Sequence, residues 1–164
     1  QPVIFSHSNP GRLAPNPRNI DDEQIKACAA RGGIVGLVSW GPLVMARDQQ
    51  DWPTLAQFVA IVDDVAQMLG GADHIGIGTD MSLGTYPDHR SDPWGEADYP
   101  NISAEYGRRV TPDIRSPRRS LEGFSDYPEV VQLAEQLLRR GYSDAQVHGI
   151  LGENYLRLFA QVWR

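Results

Sequence analysis

The sequence predicts an α/β fold built on a parallel sheet. Three short apolar runs, Pro2–Ser8, Gly33–Trp40 and His74–Asp80, alternate with two helical patterns. The runs are rich in Val and Ile and bounded by Gly, Pro and Asp. Continuous rather than alternating hydrophobicity marks strands covered on both faces. Strand–helix–strand order means right-handed crossovers onto one sheet. An open doubly wound sheet and part of a (β/α)8 barrel both fit that order.

The first run, centred on Val3-Ile4-Phe5, begins at the second residue. Core strands rarely open a domain, because termini tend to be surface segments. Residues 1–164 are therefore expected to be the C-terminal part of something longer. The first helix is expected between Asn19 and Gly33. Asn19 is its expected cap, Asp21, Asp22 and Glu23 suit the positive end of its dipole, and Gly32-Gly33 stop it. The second helix is expected from Thr54 to Leu69. Leu55, Phe58, Val59, Val62, Val65, Ala66 and Leu69 form one stripe at helical spacing, and Gly70-Gly71 end it.

From Met81 to about Asp126 the periodicity is lost. A connection this long is usually functional or disordered. Its prolines, three tyrosines and Trp94 favour an ordered lid. Two closing helices follow. Pro128–Arg140 carries Val130, Leu133, Ala134, Leu137 and Leu138 on one face, and Gly141 stops it. Ser143–Trp163, capped by Ser143, carries Val147, Ile150, Leu151, Leu158, Phe159 and Val162.

Composition narrows the function. A 41% hydrophobic, 22% charged chain is no disordered polyelectrolyte. A net charge of −6 argues against a nucleic-acid partner. No apolar run approaches the ~20 residues of a membrane helix, no signal segment is seen, and a cytoplasmic setting is the default expectation. The single cysteine, Cys28, excludes an intrachain disulfide and a multi-cysteine zinc site, and reads as helix packing. Gly76 and Gly78 lie inside a strand rather than in a strand–helix turn, so they do not make a dinucleotide fingerprint. No Walker loop, nucleophile elbow or HExxH helix occurs.

The informative residues are those that end the strands. His7 ends the first, Ser39-Trp40 the second and Asp80 the third. Parallel α/β folds bind ligands outside the carboxyl ends of their strands. His7 and Asp80 are therefore metal-ligand or acid/base candidates, against a capping histidine and a turn aspartate as the plain alternatives. Arg18 is either a solvated arginine or a grip for a carboxylate. His74 starts the strand that Asp80 ends, about 20 Å away, and belongs to the structural end. His148 reads as a surface or packing histidine, and His89 as solvated loop. Arg108, Arg109, Arg115, Arg118 and Arg119 read as lid residues or partners of acidic neighbours.

Pro2-Val-Ile-Phe-Ser-His7-Ser, followed by Arg18-Asn19 and Asp21-Asp22, resembles the C-terminal half of the membrane (renal) dipeptidase family of metallopeptidases, in the amidohydrolase superfamily. Gly33-Ile-Val-Gly36, Asp73-His-Ile-Gly-Ile-Gly-Thr-Asp80, Leu121-Glu-Gly-Phe-Ser-Asp-Tyr-Pro128, Gly141-Tyr-Ser-Asp144 and Gly152-Glu-Asn-Tyr-Leu-Arg-Leu-Phe159 extend the match in order. The resemblance implies the C-terminal part of a (β/α)8 TIM barrel. This chain would hold about three parallel strands with flanking helices and two C-terminal helices. It also implies two zinc ions at the C-terminal face, whose shared hydroxide attacks the carbonyl of a dipeptide. By the same resemblance His7 is a zinc ligand, Arg18 binds the substrate carboxylate and Asp80 handles the proton.

The family's His-x-Asp pair, bridging glutamate and other zinc histidine precede this region, and nothing in 1–164 replaces them. Asp80 is also followed by Met81-Ser-Leu-Gly84 rather than by a second aspartate, and the loop after it is longer than in the family's mammalian type. Three strands cannot close a barrel, and an isolated sheet exposes an edge. The missing N-terminal half, another chain or a homo-oligomer is expected to cover it, and the isolated chain is expected to be inactive. The rival readings are a non-catalytic half-barrel that oligomerises, and an amidase or lactonase on the same scaffold.

Overall fold

The computed structural model describes residues 1–84, 86–88 and 116–163. His89, Trp94, Arg108, Arg109, Arg115 and most of the expected lid lie outside the described residues.

Three parallel strands form one sheet in the order β1-β2-β3: β1 (Ile4–Phe5), β2 (Ile34–Leu37) and β3 (Ile75–Ile77). The register pairs Ile4 with Ile34, and Gly36 with Gly76. Ladder-like bonds continue past the strand ends, from Ser8 N–H to Gly36 O and from Gly78 N–H to Leu37 O, both 2.9 Å. The apolar runs are thus longer than the paired segments. β1 is only half buried, because it is an edge.

Helix α1 (Asp22–Ala30) connects β1 to β2. Asn19 is not its cap. Asp21 is, in a capping box with Gln24. The Asn19 side chain is spent elsewhere, on carbonyls of the preceding loop and of residue 43. After β2 comes a helix the sequence did not predict, α2 (Gly41–Val44), one turn long with Pro42 near its start. Helix α3 (Leu55–Leu69) matches its stripe. Thr54 and Gln57 form a capping box, and Gly70 ends it in the left-handed conformation at φ 72°. Phe58, Val59, Val62 and Val65 of α3 pack with Ile25 and Cys28 of α1 against Val35, Leu37 and Ile75. Burial raises the pKa of Cys28, as a packing thiol requires.

Helix α4 (Val130–Arg139) follows a 3-10 turn at Tyr127–Glu129. The single closing helix expected over Ser143–Trp163 is instead two helices. α5 (Asp144–His148) and α6 (Asn154–Val162) are joined by a π-helical turn at Gly149–Glu153. The backbone leaves helical geometry at Gly152 (φ 168°, ψ −29°), and Asn154, at the start of α6, is buried. Its Nδ2 donates to Ala72 O at 2.9 Å and to Ile75 O at 2.8 Å, at the start of β3. A Cβ at Gly149 would sit 3.2 Å from Asn154 Oδ1.

Side chains alternate along a strand, so Gly36 and Gly76 face away from Val35, Leu37 and Ile75. Tyr155 fills that opposite face. A Cβ at Gly76 would overlap its ring, and one at Gly36 its hydroxyl. Burial, and secondarily Cys28, push the Tyr155 hydroxyl up to about 12. Replacing Gly76 by Ala is expected to lower unfolding stability by about 1–3 kcal/mol, an overpacking cost larger than the ~0.4–1 kcal/mol gained by restricting the unfolded chain. Urea denaturation of the full-length protein reads this. Adding Tyr155→Leu should recover part of the loss, and strictly additive effects would contradict the contact.

Candidate active site at the C-terminal ends of the strands

Because the strands are parallel, the residues that follow them share one rim of the sheet. His7 lies two residues beyond β1, and Asp80 three beyond β3. A Cβ at Gly78 would overlap Ser6 O and sit 3.1 Å from His7 Cβ. Glycine at 78 is what lets the end of β3 approach His7. His74 is at the other end of β3, its Nδ1 2.9 Å from Gly33 O, and takes no part in this rim. His148 is exposed at the end of α5.

The structure brings His7 and Arg18 into contact. His7 Nε2 lies 2.5 Å from Arg18 Nη2, and His7 Nδ1 lies 2.7 Å from Ser6 Oγ. A guanidinium only donates, so Nε2 must accept. That assigns the neutral tautomer with hydrogen on Nδ1, which donates to Ser6. The Nε2 lone pair is thereby fixed toward the guanidinium.

Two asparagines that sequence reasoning missed as site residues hold this arrangement. Asn9 is fully buried. Its Nδ2 donates to Val38 O (2.8 Å) and Leu43 O (3.0 Å), and its Oδ1 accepts from Val38 N–H (3.1 Å). Its own N–H donates to Asn19 Oδ1 at 2.9 Å. Asn19 Nδ2 in turn donates to Ala14 O (2.7 Å) and Leu43 O (3.0 Å). The two amides clamp the segment bearing Arg18 onto the end of β2. The Arg18 backbone is set by Asn16 Oδ1, which accepts its N–H at 2.9 Å, and by Ser8 Oγ, which donates to its carbonyl at 3.2 Å. The signal in the sequence was an Asn two residues after His7 and another directly after Arg18.

Asp80 has φ 55°, in the left-handed region that Asp tolerates better than most residues. Its neighbours fix the turn. Ser39 Oγ donates to Thr79 O at 3.3 Å, Met81 N–H donates to Thr79 Oγ1 at 3.2 Å, and the Tyr127 hydroxyl donates to Met81 O at 3.1 Å. Among the described residues Asp80 makes no hydrogen bond or ion pair with His7 or Arg18, and its charged partner there is Arg119, whose Nη2 lies 3.5 Å from Asp80 O and 3.8 Å from Asp80 Oδ2. The Arg119 guanidinium carbon sits 4.4 Å from the Tyr86 ring centroid and 5.7 Å from that of Trp40.

Chemically, the rim offers an imidazole whose Nε2 lone pair meets a guanidinium, and a carboxylate on the adjoining turn. His7 fits as one metal donor. Among the described residues no three His, Cys, Asp or Glu side chains converge.

Residues 1–115 and 113–164 match the family model described as Membrane dipeptidase (Peptidase family M19). The chain is 30% identical to the dipeptidase ataJ of Aspergillus terreus, over 98% of this chain and 31% of that protein. Among solved structures it resembles an amidohydrolase from Pseudomonas aeruginosa, with a TM-score of 0.75 and 31% identity over 99% of this chain and 46% of that one. It also shares its fold with dipeptidase AC, a metallo peptidase of family M19, with a TM-score of 0.70 and 18% identity over 99% of this chain and 38% of that one. The chain thus spans less than half the length of each of these proteins. With both segments matched from the first residue to the last, the chain belongs to the membrane dipeptidase family, peptidase family M19.

Proposed function

We propose that the protein of which this chain is a part hydrolyses dipeptides with the help of zinc. In this reading residues 1–164 are the C-terminal portion of one (β/α)8 barrel, and the N-terminal portion supplies the remaining metal ligands. The observation that carries it is the shared rim, where His7 and Arg18 touch and Asp80 follows the glycine that packs on His7.

Zinc, when bound, supplies Lewis acidity to the scissile carbonyl and to water. His7 is this chain's ligand to it, through Nε2, and the Ser6 bond to Nδ1 holds the tautomer that exposes that lone pair. One lone pair cannot serve both metal and Arg18, so with His7 on the metal the guanidinium would be free for another acceptor. Arg18 then grips the carboxylate that ends the substrate. A third residue would put an amide where that carboxylate belongs, which limits substrates to two residues. Asp80 accepts the proton of the attacking water and returns it to the leaving amine, so its charge is restored each cycle.

In the full-length, zinc-loaded protein, free dipeptides should be cleaved and their C-terminal amides cleaved poorly. Arg18→Ala should cost about 10–100-fold in kcat/KM for the free acids, the worth of a charge-assisted hydrogen bond. It should leave the amides unchanged. An equal loss for acids and amides would contradict the role given to Arg18, and a panel of dipeptides left intact would contradict the proposed activity.

A further inference from the structure

We propose that Arg119 is a positioning residue for Asp80, and that it sets the rate of the chemical step rather than the binding of substrate. The inference rests on the dipeptidase reading above.

Arg119 is an unusual place for a charge. Its side chain is only 16% exposed, and its Nε is buried without a partner among the described residues. Burying a guanidinium is costly unless something answers its charge. Among the described residues that answer is Asp80, approached at both its backbone carbonyl and its carboxylate. The aromatic faces of Trp40 and Tyr86 flank the guanidinium and keep it from swinging away. The segment after it is anchored as well, since Trp52 Nε1 donates to Ser120 O at 2.7 Å.

Asp80 is a residue that needs holding. Left-handed backbone costs a non-glycine residue free energy, and such strain persists only where the surroundings impose it. Arg119 Nη2, placed near both the Asp80 carbonyl oxygen and one carboxylate oxygen, opposes both relaxation of the backbone and rotation of the carboxylate. The other oxygen, Oδ1, has no partner among the described residues and is left for the proton. The 3.5 Å carbonyl contact is at the outer limit of hydrogen bonding, and the 3.8 Å carboxylate contact is an ion pair that orients by charge. Nothing in this arrangement reaches Arg18, so substrate anchoring does not depend on it.

The test uses the full-length, zinc-loaded protein and a dipeptide that it cleaves. Arg119→Met keeps a long side chain between Trp40 and Tyr86 but removes the charge. It should lower kcat about 10–100-fold with KM changed less than about threefold, as expected for a mispositioned acid/base group. Methylguanidinium added to this variant should restore part of kcat, an effect that lost packing cannot show. Arg119→Lys retains the charge but not the planar guanidinium held by the aromatic rings, and should lower kcat about 3–10-fold. A kcat for Arg119→Met within twofold of the parent, or a loss confined to KM, overturns the proposal. Should Arg119→Met melt well below the parent, Arg119→Lys decides, and parental kcat in that variant overturns it. A parent protein that cleaves no dipeptide refutes the dipeptidase reading, whereas an active parent with unaffected Arg119 variants refutes this inference alone.

Discussion

Replacing Asp80 by Asn in the full-length, zinc-loaded protein is expected to lower kcat by about 10²–10⁴-fold, the contribution of a positioned acid/base group. The substitution is a clean one. Asn has the same shape, tolerates the left-handed backbone that Asp80 adopts, and keeps the carbonyl that faces Arg119. It loses the ability to take a proton. Asp80 has no assigned part in holding zinc, so metal content measured on the same preparation should be unchanged. Retained kcat would refute the proton-transfer role. Lost kcat accompanied by lost zinc would mean that Asp80 is a metal ligand instead.

Replacing Asn154 by Ala is expected to cost about 2–5 kcal/mol of unfolding stability. The carboxamide donates to Ile75 O and Ala72 O at the start of β3; leaving Ile75 O short of this donor costs about 1–3 kcal/mol, and Ala72 O, which keeps the Ile75 N–H at 3.1 Å, loses a second bond worth about 0.5–1.5 kcal/mol. Its Oδ1 also accepts from Arg157 Nη1 at 2.9 Å, a bond that would be lost with it. In urea the midpoint should fall with little change in slope, since the same surface is exposed on unfolding. A change below about 1 kcal/mol would mean that water or a relaxed backbone replaces those bonds.

The elements legible in the sequence were those that repeat a simple period. The stripe of α3 and its flanking Thr54 and Gly70 gave its limits closely, because cap, face and stop agree. The three strands were legible as apolar runs, yet their paired lengths were not, because pairing depends on neighbours far away in sequence. The break between α5 and α6 was written only in Gly149, Gly152 and Asn154, within a run whose apolar spacing still suits one helix. Asn154 is buried by partners about 80 residues distant, which no local window reveals. A single turn such as α2 carries no period at all.

For the candidate site, His7 and Asp80 could be singled out because chemistry in parallel sheets gathers at strand ends. Arg18 was ambiguous on spacing alone, and the structure adds that it meets His7. Asn9 looked like an ordinary loop residue. Its buried, fully engaged amide is a tertiary fact. Arg119 stood in a run of arginines that charge alone could not tell apart. Only the fold sets it beside an aspartate 39 residues earlier.

The most direct measurement is a crystal structure of the full-length protein with zinc and a non-hydrolysable dipeptide analogue. The expected result has the analogue's terminal carboxylate hydrogen-bonded to Arg18, His7 Nε2 on a zinc ion, and the Asp80 carboxylate facing the group that replaces the scissile amide. An analogue bound away from the rim formed by His7, Arg18 and Asp80 would contradict the account.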